Sequence, residues 1–550
     1  EVMGYHGLTY SILVRLSYIF FITHDFNRGA DSIHSLHQTY LSVFILPVDF
    51  KRIYFKLFVT KCIQYRRIRM IYKTISFVFN NRLKTIDFNN SPYTPNTTVL
   101  EYLRDNPRFK GTKEGCAEGD CGACTVVLAE IGKNGSLVYK AVNSCLVFLP
   151  KLHGRQLITI ESLEDDSGNL HPIQKAMIDQ HGSQCGFCTP GMIMSLFAYY
   201  KSNDFFDRDK VIDAISGNLC RCTGYKSIIR AAEQAMFEKA KDHFSAKEEE
   251  IRDLLKSIPA GTIEIKKENF LYLIPDNLKD TLALRKKHTR AVIIGGGTDL
   301  ALKVTQENQS IPEIIDLSRT DELKRISILK EGVSIGGSVT INELSDLSKT
   351  ILPAINEICR VFASRQIRHM ATIAGNIGTA SPIGDLIPVL MAYEAEIILL
   401  SEEQKRRLPL ADFIRGYRQT DIHSAEIIHS IFIPFPAPGI ILRAYKISKR
   451  KDMDITSVGA AFRLLLDKSN VVQSIKIVYG GMAASCMRAE VTENFLEGKL
   501  WIKNRVEDAA ELLYNDFSPL SDVRAGEKFR RRAAANLLIK FWSETQAPNE

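Results

Sequence analysis

Short alternating runs give way to longer helical rhythms along this chain, and the changes mark its domains. From Thr74 the run Ile75-Ser-Phe-Val-Phe79 places apolar side chains on a strand, and Asn80-Asn81-Arg82 breaks it. That predicts a hairpin returning through Lys84–Phe88. Thr98 opens a short helix through Arg104, since its hydroxyl can accept from the first turn. A Gly- and Cys-rich loop at 111–124 then feeds the strand Thr125–Ala129. Hairpin, helix, cysteine loop and strand in that order predict a compact β-grasp-like unit.

Residues 171–240 follow a helical period instead. His171-Pro172 opens a helix through Gln180, and Pro190–Lys201, Val211–Leu219 and Ile228–Lys239 follow it. The charged run 241–256 reads as a linker helix with little apolar face. From Glu264 strands and helices alternate. The strand Ala291-Val-Ile-Ile294 enters Gly295-Gly-Gly-Thr-Asp299, and a second Gly-bearing loop runs from Ile373 to Gly378. Ser381-Pro-Ile-Gly-Asp385 comes next. Beyond Pro434-Phe-Pro-Ala-Pro438, strands near 457–467 and 471–480 and helices near 505–515 and 525–543 predict a last domain. There are no repeats and no low-complexity tracts.

Composition changes this picture little. A length of 550 residues implies three or four domains, and 45% hydrophobic with 24% charged residues is ordinary for globular protein. Of the net charge of +8, residues 1–69 carry +5, with nine Lys and Arg against four Asp and Glu. No basic stripe elsewhere argues for nucleic acid. Residues 1–69 are aromatic-rich, acid-poor and without a period, and are expected to be a disordered or spurious extension, with Met70 a start. A membrane anchor is the alternative, although Leu8–Thr23 contains Arg15 and falls short of the ~20 residues of a spanning helix.

Cysteine spacing changes it a great deal. Eight of eleven cysteines form two sets: Cys116, Cys121, Cys124 and Cys145, then Cys185, Cys188, Cys220 and Cys222. Clustered thiols in a chain this long read as metal ligands in a reducing compartment. The first set has the C-x4-C-x2-C plus remote Cys spacing of plant-type [2Fe–2S] ferredoxins. Gly115, Gly119 and Gly122 let the intervening backbone turn N–H groups toward sulfur. Structural zinc is the alternative, but it prefers paired C-x2-4-C hooks. In the second set Cys185-x2-Cys188 alone could be a zinc hook or a redox pair. Cys220-x-Cys222 pinches too tightly for unstrained tetrahedral zinc and shifts the reading toward iron–sulfur. Cys62, Cys359 and Cys486 stand alone, as buried or inert thiols.

Three stretches carry a resemblance. Gly111-Thr-Lys-Glu-Gly-Cys-Ala-Glu-Gly-Asp-Cys-Gly-Ala-Cys124, Gln184-Cys-Gly-Phe-Cys-Thr-Pro-Gly191 and Gly217-Asn-Leu-Cys-Arg-Cys-Thr-Gly-Tyr225 closely resemble the iron–sulfur region of the xanthine dehydrogenase family. The likeness is greatest to the bacterial-type small, iron–sulfur/FAD subunit, and it extends over about 72–545. It implies that both cysteine sets hold [2Fe–2S] clusters. It implies an α+β multidomain fold: a ferredoxin-like β-grasp domain (72–156), a four-helix [2Fe–2S] domain (160–240), a linker (241–261), an α/β FAD-binding domain of the vanillyl-alcohol-oxidase type (262–436) and an α+β flavoprotein C-terminal domain (440–545).

A flavin converts single electrons to the hydride that nicotinamide takes. Ile294-Gly-Gly-Gly-Thr-Asp299 lacks the G-x-G-x-x-G fingerprint, yet consecutive glycines after a strand let backbone N–H groups approach a pyrophosphate. By itself this is equally an ordinary tight turn. The resemblance implies FAD contacts from Ile293, Ile294, Gly295, Gly296, Gly297, Thr298, Asp299 and Leu300, and from Thr372, Ile373, Ala374, Gly375 and Asn376. Ala374 stands where glycine is commoner, a change tolerated unless the position needs positive φ. The resemblance further implies contacts from Asp385, Lys446 and Ile422, and Phe362 as the aromatic stacked at the isoalloxazine; by pattern alone Phe362 is a core aromatic on a helix. Asp452-x-Asp454 matches an acidic loop near the flavin, or is a plain solvated charge run.

The resemblance also implies a division of labour. No residues correspond to the large molybdopterin-binding region, so no catalytic residue for purine hydroxylation is expected on this chain. Electrons from hypoxanthine or xanthine would arrive from a molybdopterin-binding large subunit, in a cytoplasmic heterotetramer. They would pass both clusters to FAD and NAD⁺. The rivals are a same-architecture subunit of an aldehyde or other molybdenum hydroxylase, and a zinc-stabilised binding module.

Overall fold

The computed structural model describes residues 71–546, so the expectations for 1–69 lie outside the described residues. The protein is a multidomain α+β chain, as the motifs led one to expect. Its first unit is a mixed sheet in the order Arg82–Asp87, Thr74–Phe79, Gln156–Ile158, Thr125–Ile131, Leu137–Asn143. The hairpin pairs Phe79 with Arg82, two residues ahead of the expected return strand, because Asn80 takes φ of 54° and the turn consumes only Asn80 and Asn81. Thr98 caps Val99–Arg104 in a reciprocal box with Glu101, whose N–H donates to the Thr98 hydroxyl at 3.2 Å. Ile75, Phe77, Val99, Leu103 and Val126 fill the space beneath.

Four helices follow, Pro172–Asp179, Thr189–Ser202, Arg208–Ile215 and Lys226–Phe237. The third starts and ends earlier than the apolar period suggests. Asp207 caps it through the Lys210 N–H at 3.1 Å, and the chain leaves the helix before Gly217-Asn218, whose side chain is bonded elsewhere. The stretch read as a linker helix with little apolar face is helical, as His243–Ala246 and Glu248–Ser257, but it does carry an apolar face. Phe244, Ile251 and Leu255 bury against the helical core. The many charges of this stretch masked the i, i+4 pair Ile251/Leu255.

The region that follows is built on two sheets. One orders Ile71–Tyr72, Thr262–Lys267, Phe270–Ile274, Glu313–Asp316 and Val292–Ile294, the last two pairing in parallel. The other is antiparallel, Ile326–Ile328, Gly332–Gly336, Ile427–Pro434, Glu396–Leu400 and Lys405–Pro409. Against it Ile341–Ile351, Pro353–Arg360 and Leu386–Ala392 close the largest core. The C-terminal region sets three helices, Glu490–Leu496, Lys503–Asp516 and Glu527–Gln546, on the sheet Ile441–Ile447, Val458–Leu466, Val472–Gly480, Met487–Arg488. Phe462, Tyr479, Trp501 and Phe541 are fully buried between them. Among the described residues no helix is long and apolar enough to cross a membrane.

Candidate cluster and flavin sites

The eight cysteines gather two by two. Cys124 and Cys145 bring their sulfurs to 3.4 Å, Cys124 closing the loop and Cys145 lying in the turn Ser144–Leu146 after the strand Leu137–Asn143. Cys116 with Cys121, Cys188 with Cys220 and Cys185 with Cys222 make the other pairs, each close enough for its two thiols to shift one another's titration. Among the described residues no three such groups surround a single ion. Two pairs per set match a centre with two irons, each needing two thiolates.

Electrostatics within the pairs is that of a shared proton. The hydrogen bond from Cys121 brings Cys116 down to about 5, and that from Cys145 lowers Cys124, while Cys121 and Cys145 are pushed up. Burial, then the bond with Cys220, pushes Cys188 up to about 12. Burial would raise Cys220, but hydrogen bonds from Thr223, Cys222 and Cys188 together lower it. Backbone donors also reach sulfur: the N–H groups of Glu118 and Cys121 lie 3.4 and 3.3 Å from Cys116 Sγ. Gly119 and Gly122 adopt φ of +80° and +70°, whereas Gly115 is needed for space, a Cβ there meeting Cys121 Sγ at 2.8 Å. In the second set, Cys188 is the N-cap of Thr189–Ser202, and Cys220 and Cys222 lie just ahead of Lys226–Phe237. Two helix N-termini thus favour negative charge there.

The two sets meet. Cys121 O accepts the Leu219 N–H at 2.9 Å, one residue before Cys220. Asn218 Nδ2 donates to Gly122 O at 2.9 Å, and Asn218 Oδ1 accepts from Ser195 Oγ at 2.6 Å and Gln366 Nε2 at 2.9 Å. Tyr225 OH accepts the Cys220 N–H at 2.8 Å, and Tyr225 itself holds φ of 66°. Asn218, Tyr225 and Gln366 were not foreseen. The positive φ and the buried contacts that mark them come from the fold, not from spacing.

The flavin-side residues also come together, in two groups. The strand Val292–Ile294 delivers the loop 295–300, and Gly296 is compelled by closeness, since a Cβ would meet Met370 O at 2.0 Å. Gly295 faces the Thr372 hydroxyl across the same seam. Thr372 caps Ile373–Gly378 through the Gly375 N–H at 3.1 Å. Ala374 lies inside that helix at negative φ, so its methyl is accommodated. Arg418 bonds Asp299 at 3.3 Å, bringing the 418–422 loop with half-buried Ile422 alongside. In the second group Lys446 Nζ pairs with Asp385 at 2.8 Å and donates to Val361 O at 3.0 Å, beside Phe362. Phe362 is 9% exposed at the edge of the core, and its carbonyl accepts from Arg368 at 3.0 Å. Arg368 in turn pairs with Asp213 of the helical region. Arg450, in the acidic–basic loop, lies 3.6 Å from Asp120 of the first cysteine loop.

Two observations fit this seam to a nucleotide cofactor. Asn376 Oδ1 is buried without a hydrogen-bond partner. Among the described residues the N–H groups of Gly296, Gly297 and Thr298 find no protein acceptor, leaving three successive donors.

The chain is similar to known proteins over most of its length. A family model described as the FAD binding domain in molybdopterin dehydrogenase matches residues 266–436, one for the [2Fe-2S] binding domain matches 159–233, and one for the CO dehydrogenase flavoprotein C-terminal domain matches 443–545. Xanthine dehydrogenase of Emericella nidulans is 32% identical, covering 86% of this chain and 38% of that protein. Xanthine dehydrogenase of Dictyostelium discoideum is 32% identical, covering 82% and 39%. Xanthine dehydrogenase/oxidase of Mus musculus is 30% identical, covering 84% and 38%. The chain therefore spans well under half the length of these relatives. Carbon monoxide dehydrogenase of Hydrogenophaga pseudoflava has a chain 25% identical with a TM-score of 0.47, covering 50% of this chain and 96% of that one. The chain is thus an iron–sulfur and flavin electron-transfer module of the molybdenum hydroxylases. Over most of its length it is similar to part of the proteins of the xanthine dehydrogenase family.

Proposed function

We propose that this chain is the small, electron-carrying subunit of a cytoplasmic NAD-dependent xanthine dehydrogenase. Its partner would be a molybdopterin-binding large subunit that oxidises hypoxanthine or xanthine, in a heterotetramer. The cluster domains are 72–156 and 160–240, and the flavin domains 262–436 and 440–545. Cys116, Cys121, Cys124 and Cys145 would hold one [2Fe–2S] cluster, and Cys185, Cys188, Cys220 and Cys222 the other. When bound, the clusters supply one-electron carriage and FAD the exchange of two single electrons for a hydride to NAD⁺.

This chain's residues supply placement and electrostatics. Backbone N–H groups on Cys116 Sγ and two helix N-termini at the second set stabilise thiolate charge. Gly296, Gly297 and Thr298 offer N–H donors to a pyrophosphate. Lys446 and Asp385 hold the loop carrying Phe362, which would lie against the flavin ring. The observation that carries the reading is continuity. Cys220 is one residue from Leu219, whose N–H reaches Cys121 O, and Cys116 O accepts from Gln306 Nε2 at 2.9 Å, just past the helix Ala301–Thr305 that follows the Gly-rich loop.

The test is to express the chain alone under anaerobic handling. Iron and acid-labile sulfide in equal amounts, about four of each per chain, with bound flavin, NADH–dye activity and no xanthine turnover are expected. Zinc in place of iron would overturn the cluster assignment. Xanthine turnover by the isolated chain would overturn the division of labour.

A further inference from the structure

Lys151 lies six residues beyond Cys145, in the turn Leu149–Leu152 of the cluster-side region, yet its ammonium is spent on the flavin side. The side chain is 1% exposed. Nζ donates to Gly295 O at 2.9 Å and to the two Asp316 carboxylate oxygens at 3.0 and 3.1 Å. Asp316 ends the strand Glu313–Asp316, is fully buried, and also accepts from Tyr272 OH at 2.7 Å and the Ser318 N–H at 2.9 Å. Every polar atom of this cluster is satisfied, as buried charge requires.

An ion pair alone would be a poor reason to bury a lysine here, since fitted apolar residues join two surfaces as well or better. What such residues cannot do is hold the Gly295 carbonyl. In a trans peptide the C=O and the following N–H point in opposite directions. Anchoring Gly295 O on Lys151 therefore turns the Gly296 N–H away from Lys151, into the row of donors it forms with Gly297 and Thr298. The same segment touches the loop at its other end, where a Cβ on Gly297 would lie 3.9 Å from Leu146 O.

We propose that Lys151 is a positioning residue for the flavin: from the cluster-side region it fixes the Gly295–Gly296 peptide, so that FAD affinity depends on this one buried ammonium. This rests on the reading of 293–300 as the FAD pyrophosphate loop.

The test is FAD titration of the full chain after flavin removal, followed by quenching of flavin fluorescence, with iron, sulfide and thermal midpoint measured alongside. Lys151→Met is expected to weaken FAD binding by about tenfold to a hundredfold with iron and sulfide unchanged. Because Lys151→Met leaves Asp316 buried and unpaired, the triple variant Lys151→Met/Asp316→Leu/Tyr272→Phe is measured too. It is expected to regain the thermal midpoint while FAD binding stays weak. Recovery of both by the triple variant, or wild-type FAD affinity in Lys151→Met, would overturn the inference and leave the flavin site standing. A wild-type chain with intact clusters that takes up no FAD would instead remove the reading beneath it.

Discussion

The carbonyl of Cys121 accepts the N–H of Leu219 at 2.9 Å, a backbone hydrogen bond that joins the two cysteine loops directly. Neighbouring Gly122 makes that approach possible. It holds φ of +70°, and a Cβ there would stand 2.1 Å from Gly217 O. Gly122→Ala should therefore force the loops apart, at a backbone cost of about 1–2 kcal/mol before any clash is counted. The expected result is a changed spin–spin interaction between the two reduced clusters in electron paramagnetic resonance, with a lowered thermal midpoint. An unaltered interaction would show that this contact does not set the spacing.

Behind that contact, Asn218 and Gln366 tie three regions together, and both are 1% exposed. Gln366 Nε2 reaches Ser195 Oγ at 2.8 Å, Ala214 O at 3.0 Å and Asn218 Oδ1 at 2.9 Å. Removing either amide orphans buried partners at about 1–3 kcal/mol each. Asn218→Ala and Gln366→Ala should each destabilise by that order, and the double variant by clearly less than their sum, since they share a bond. Denaturation of the four-member cycle measures the shortfall, and strict additivity would argue against a shared network.

Much of this was legible from the chain, and the reasons differ by element. The hairpin, the Thr98-capped helix and the C-terminal strands announce themselves by short-range pattern, and cysteine spacing named both sets. The third helix was misplaced because its first turn after the Asp207 cap, Arg208-Asp-Lys210, is wholly charged and lies outside the periodic run. The helix Glu248–Ser257 was undervalued because Ile251 and Leu255 are outnumbered by charges. What spacing cannot reveal is which polar groups become buried across domain seams. Lys151, Asn218 and Gln366 look like surface residues until contacts 148 to 165 positions away in sequence enclose them.

Lys446 and Asp385 form a nearly buried pair, with side chains 4% and 11% exposed. Lys446 also donates to Val361 O, so the pair pins the segment leading into Phe362. Lys446→Met leaves the Asp385 carboxylate with the Thr456 hydroxyl and no counter-charge. A loss of about 3–5 kcal/mol in stability is expected, as for other broken buried pairs. Flavin content after gel filtration should fall with iron unchanged. Full flavin occupancy in Lys446→Met would separate this pair from the cofactor site.

His369 supplies a pH dependence whose sign can be worked out. It is buried between the helix Arg365–Arg368 and the strand Leu137–Asn143, with Nδ1 2.9 Å from Ala141 O. Burial first, and then the charge of Arg365, lowers its pKa from 6.5 to about 3. The folded state therefore binds fewer protons than the unfolded one, and stability falls as acid is added. The loss begins below 6.5 and continues until about 3, at up to about 1.4 kcal/mol per pH unit. Because this ring sits at the seam between cluster-side and flavin-side regions, acid should loosen that seam. His369→Gln can still donate to Ala141 O but does not titrate. Its thermal midpoint should consequently decline less than that of the wild type between pH 6.5 and 4.5, and parallel declines would show that other groups carry the acid sensitivity.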